Sequence, residues 1–101
     1  MTTLYMVRSN PIAGKEQEFN RWYRDVHLPE VLQIEGFQNA RRFRLTAQQL
    51  QPQSHQHLAI YTINGDDIEG TLNNLRNMDS LTMTDALDMS SIDISIVSEL
   101  L

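Results

Sequence analysis

The sequence predicts an α+β domain with the element order β-α-β-β-α-β, and three observations carry that reading. Four short stretches, at 3–9, 37–45, 57–63 and 92–96, have the length and the β-branched or aromatic content of strands, the second of them also carrying three arginines. Between the first two, Phe19, Trp22, Tyr23 and Val26 recur at i, i+3, i+4 and i+7, the spacing of a helix with one buried stripe. Between the last two, Ile68, Leu72 and Leu75 recur at i, i+4 and i+7.

Thr3 to Ser9 form the first strand, closed by a turn at Asn10-Pro11. Gly14 precedes the first helix, which runs from about Lys15 to His27. Pro29 is expected to stop that helix, because its ring clashes one turn back and Leu28 is pushed out of the helical region. A short turn from Glu30 to Ile34 follows and ends at Gly36. In the second strand, 37–45, alternation puts Gln38, Ala40, Arg42 and Arg44 on one face and Phe37, Asn39, Arg41, Phe43 and Leu45 on the other.

The Gln-rich stretch 46–56, with Pro52 inside it, reads as a mobile hairpin loop and not as a domain linker. His57 to Ile63 give the third strand, ended by Asn64-Gly65. Asp66 or Asp67 caps the second helix, in which Gly70 is an unfavourable residue. Residues 78–91 form either a loop or another short helix. Ile92, Ile94 and Ile96 alternate with Asp93 and Ser95 as a half-buried fourth strand.

This order is the ferredoxin-like arrangement: a four-stranded antiparallel sheet with two helices on one face and strands one and three at the centre. Both central strands are apolar on both faces, Leu4 and Met6 against Tyr5 and Val7, Leu58 and Ile60 against Ala59, Tyr61 and Ile63. Two helices cover only one face. The other is expected to meet the same face of a second copy, giving a homodimer whose sheets close into an α/β barrel.

The 101 residues make one domain, 1–101, with 41% hydrophobic content and a modest core. No apolar run is long enough to span a bilayer, and the start has no basic-then-apolar signal. Zero cysteines exclude disulfides, thiol catalysis and Cys-based metal sites, and fit a cytoplasmic location. A net charge of −5 argues against nucleic acid and anionic membrane as partners. Residues 1–45 nonetheless hold seven of the eight basic groups against five acids. This is either local complementarity to an anion or carboxylate, or an ordinary solvated surface.

His27 is the leading candidate for chemistry. It lies one turn from Tyr23 at the edge of the apolar stripe, and its ordinary pKa of about 6.5 suits proton exchange at neutral pH. Asp25 points away and is no orienting partner. The alternative is a structural histidine favoured by the negative end of the helix dipole. Tyr23 either donates a hydrogen bond to substrate or holds helix to sheet. Trp22 is core, cavity wall or a stacking platform. Arg42 on strand two is either a carboxylate anchor or a guard against edge aggregation, and Phe43 is an aromatic wall beside it. Tyr61, on central strand three, is core or a cavity residue. His55 and His57 share an i, i+2 spacing but have no acidic or thiol partner nearby, so they read as solvent histidines and not as a metal site. The chain has no Ser-His-Asp order, glycine-rich phosphate loop or nucleotide fingerprint, and no cofactor is expected.

Arg21-Trp22-Tyr23-Arg24-Asp25-Val26-His27-Leu28-Pro29-Glu30-Val31, followed by Gly36-Phe37 and Ala40-Arg41-Arg42-Phe43, resembles the dimeric α+β barrel superfamily and, within it, the EthD-like proteins. The resemblance covers about residues 3–45. It implies a ferredoxin-like dimer with a ligand cavity between sheet and helices. It also implies chemistry without metal or organic cofactor: isomerisation, cyclisation, dehydration or oxygenation of a small aromatic, lactone or polyketide-like compound. The histidine of the His-x-Pro motif, His27 here, is implied as the acid–base group. A non-catalytic ligand-binding or accessory dimerisation module is the alternative.

Overall fold

Four antiparallel strands form one sheet, in the order β2-β3-β1-β4, in the computed structural model, which describes residues 1–101. They are β1 (Thr3–Ser9), β2 (Phe37–Arg44), β3 (His57–Ile63) and β4 (Asp93–Ser98). Helix α1 (Glu16–Trp22) is joined to α2 (Leu28–Val31) by a π-helical turn at Tyr23–His27, and α3 (Ile68–Arg76) follows β3. The strands that are apolar on both faces, β1 and β3, take the centre, as their composition demands.

Register fixes what each face carries. Tyr5 pairs with Tyr61 on one side and Ile96 on the other, so Thr3, Tyr5, Val7 and Ser9 share a face with His57, Ala59, Tyr61 and Ile63. The helices cover that face, and β3 alternates strictly between buried and half-buried residues. Phe19, Trp22, Tyr23, Val31 and Ile34 pack down onto it. Leu4, Met6, Leu58 and Ile60 occupy the opposite face, which no helix covers, and remain half-buried.

Several expectations are corrected. Pro29 does not stop the helix but sits inside α2. A proline ring cannot tolerate ordinary α geometry at the carbonyl four residues back, and the extra residue of the preceding π-turn accommodates it. In β2 a register shift between Phe37 and Asn39 carries Phe37 to the helix-covered face with Ala40, Arg42 and Arg44. The bulge breaks the simple alternation that put Phe37 beside Phe43.

Of the Gln-rich stretch 46–56, residues 54–56 are tied to the body of the fold by side chains. Asn10 Nδ2 donates to the Ser54 carbonyl at 2.8 Å, and the Gln56 amide donates to Asn10 Oδ1 at 2.7 Å. His57 is not a solvent histidine: it is 5% exposed, because period two places it on the buried face of β3. His55 Nε2 lies 2.8 Å from the Ser91 carbonyl oxygen.

The segment between α3 and β4 contains no α-helix. It is an extended strap that buries Ala86 and Leu87, with a bridge from Leu87 to Pro11 and a closing 3-10 turn at Met89–Ser91. Of the two candidate caps for α3, Asp67 is used, accepting from the Gly70 amide at 2.9 Å. A Cβ at position 70 would run into that carboxylate, which accounts for the glycine inside a helix. No helix is long and apolar enough to cross a membrane.

Candidate functional site

Residues five apart on an α-helix point about 140° from one another, given 3.6 residues per turn. The π-turn changes that. The Leu28 amide donates to the Tyr23 carbonyl, an i to i−5 bond, and the wider turn brings His27 beneath Trp22. The two rings stack with centroids 4.3 Å apart and planes 20° from parallel. Tyr23 stands edge-on to both, at 4.8 Å from Trp22 and 5.3 Å from His27.

The strap fixes this cluster from outside. Trp22 Nε1 donates to the Thr82 carbonyl at 2.8 Å. Thr82 in turn donates its amide and its hydroxyl to the two carboxylate oxygens of Glu30, at 2.8 and 2.9 Å.

Under the strap, between helix and sheet, lies a cavity of about 140 Å³. Of its thirteen lining residues, twelve are hydrophobic and His27 is the exception. Tyr5, Phe37 and Tyr61 form an edge-to-face aromatic floor with centroids 5.6 to 5.9 Å apart. An apolar cavity of about 150 Å³ takes up benzene, whereas sites for drug-sized ligands begin at about 300 Å³. This cavity is therefore matched to one ring.

Electrostatics follow from burial. His27 Nδ1 is buried without a hydrogen-bond partner. Desolvation lowers the His27 pKa to about 4, while the Glu30 carboxylate pulls it partly back up. The ring is therefore neutral at pH 7. Burial raises the Tyr61 phenol far above its ordinary value, with Tyr23 and Tyr5 adding to the shift. It raises Tyr23 as well, opposed by the Ser9 hydroxyl and the Arg42 guanidinium. Both phenols stay protonated and can donate.

The structure thus brings Trp22, Tyr23, His27 and Tyr61 to one cavity and leaves Arg42 and Phe43 outside it. Arg42 lies behind Tyr23, its guanidinium 4.4 Å from that ring and 5.4 Å from Phe19. Phe43 is on the opposite sheet face, 41% exposed, with the Arg41 guanidinium 5.2 Å from its ring. Sequence reasoning missed Tyr5, Phe37, Glu30, Thr82 and His57. The alternation of β1 and β3 could have found Tyr5 and His57. The Glu30–Thr82 link spans 52 residues and has no local signal. No group of three or more His, Asp or Glu side chains gathers where it can hold a metal ion.

The family model described as "Domain of unknown function (DUF4286)" matches residues 2–69. Among solved structures, the crystal structure of an ethyl tert-butyl ether D (EthD) family protein from Bacillus halodurans C-125 superposes with a TM-score of 0.65. It covers 99% of this chain and 100% of that one at 12% identity, so what the two share is the fold. No curated protein matches the chain.

Proposed function

The chain belongs to the DUF4286 family, and from that premise we propose that it binds a small single-ring compound, aromatic or lactone-like, in the cavity beside His27 and performs acid–base chemistry on it. The observation that carries this reading is the placement of a single imidazole, neutral at pH 7, in a wall that is otherwise aromatic and aliphatic. His27 takes a proton from an acidic C–H or hydroxyl of the ligand. Tyr23 donates a hydrogen bond to the oxyanion that develops, and Trp22 and the aromatic floor hold the ring in plane. With an imidazolium pKa of about 4, His27 is a weak base, which restricts it to substrates with an already acidic proton. Such a substrate carries its own electron sink, so the step asks for no cofactor.

Binding without turnover is the second reading. It is favoured by the buried, unpartnered Nδ1, since acid–base histidines ordinarily have their tautomer fixed by a partner there. A thermal-shift screen against phenols, aromatic acids, quinones and small lactones tests both readings. Ligands of one ring are expected to raise the melting temperature by several degrees and larger ones to leave it unchanged. Turnover lost in His27→Phe supports catalysis; a ligand that is bound but never converted supports the second reading. A flat response across the panel contradicts both.

The same reading includes a homodimer formed through the uncovered face around Leu4, Met6, Leu58 and Ile60, in the cytoplasm, with neither nucleic acid nor membrane as partner. The apolar character of that face, the cysteine-free composition and the net charge of −5 support it.

A further inference from the structure

Arg42 is half-buried, and none of the chain's four ion pairs includes it. Charges drawn into a fold are normally paired, because desolvation without a counter-charge is unfavourable. Arg42 instead lies over the Tyr23 and Phe19 rings. Its Nη2 donates to Asn20 Oδ1 at 2.9 Å and stands 3.3 Å from His57 Nδ1. His57 is 5% exposed, and its Nε2 has no hydrogen-bond partner. The one acid in the neighbourhood, Glu16, reaches only to 3.8 Å from that Nε2 and 3.5 Å from Arg44 Nε. Charge-assisted bonds close to about 2.7–2.9 Å, so Glu16 satisfies neither group fully. Around these residues a groove of about 260 Å³ opens at the β2 edge, lined by Asn20, Arg42, Phe43, Arg44 and His57.

We propose that this groove is a second binding site, which takes a small organic carboxylate between Arg42 and Arg44 with Asn20 and His57 behind it. The planar guanidinium fork matches the two oxygens of a carboxylate. The ligand supplies the counter-charge Arg42 lacks and an acceptor for His57, and it displaces the loosely held Glu16. The site is distinct from the apolar cavity, and Tyr23 touches both: it lines the cavity, and its ring lies 4.4 Å from the Arg42 guanidinium.

The test is a titration of the whole protein with sodium acetate at pH 7 and constant ionic strength, read from the arginine Nε–Hε and histidine ring resonances. Acetate is too polar to enter the apolar cavity, so failure here leaves the cavity reading untouched. Saturable shifts of Arg42, Arg44 and His57 are expected. Arg44→Gln should weaken binding about ten-fold, the worth of one charge-assisted bond. Glu16→Gln should tighten it. Arg44 is 59% exposed in its side chain, so its replacement should leave the fold intact, which an unchanged melting temperature checks. Shifts that never saturate, or equal affinity in Arg44→Gln, would overturn the site. Inorganic phosphate binding as tightly as acetate would overturn its assignment to carboxylates.

Discussion

At His27 a buried imidazole nitrogen without a hydrogen bond and a depressed pKa act in the same direction on stability. The unfolded chain takes up this proton near pH 6.5 and the folded chain only near pH 4, so the unfolded state binds more protons in between. Above pH 6.5 the group contributes no pH dependence. As pH falls from 6.5 to 4 it removes stability, in total of order 3 kcal/mol. His57 is shifted in the same direction, by burial first and then by Arg42, and adds to the slope. His27→Phe should therefore flatten the loss of stability between pH 6.5 and 4, and should raise stability at pH 5 by about 1–2 kcal/mol. Urea denaturation of both proteins across that range measures it, and parallel curves would contradict it. The sequence placed Tyr23 beside both Trp22 and His27 because helical periodicity is local, whereas the stacking of His27 on Trp22 comes from the π-turn. It misjudged His57 because the polar loop beside it masked the period of the strand to which it belongs.

Between the residues and the fold stands the π-turn, which no periodicity announces, since the pattern before it and the proline after it both fit an interrupted α-helix. If Pro29 imposes the turn, Pro29→Ala lets the helix relax to ordinary α geometry and His27 swings from under Trp22. The ring-current shift of the His27 protons should then shrink, whereas an unchanged shift would mean that packing alone sets the turn. The strap makes a second prediction. Glu30→Ala removes both acceptors of Thr82, so amide exchange at Thr82 should quicken by about ten-fold or more. It also removes the carboxylate that raises the His27 pKa, so His27 should titrate still lower. Gly36 has φ +102°, and a Cβ there would drive into Thr71, which is buried. Gly36→Ala should cost about 2 kcal/mol or more in chemical denaturation. That glycine was legible as a stop signal. Its partner, 35 residues away on α3, was not.

For the whole molecule, the strand order was legible because a strand that is apolar on both faces belongs at the centre of a sheet, and β1 and β3 are the two that qualify. The resemblance implied a cavity between sheet and helices, but its outer wall was not legible, because that wall is a strap whose sequence lacks helical or strand period and whose anchors are long-range hydrogen bonds. Dimer formation through the open face carries a direct expectation: light scattering should give twice the monomer mass, and Ile60→Asp, which sets a charge in the middle of that face, should return it to the monomer. A wild-type monomer at micromolar concentration would contradict the barrel. The claim on which the rest depends is that the cavity admits one ring against His27. Titrating the protein with phenol at pH 7 while recording the imidazole nitrogen and proton resonances tests it most directly. Expected is a neutral His27 whose resonances shift saturably while those of His55 stay fixed. Resonances at His27 that stay in place through saturating phenol would contradict it.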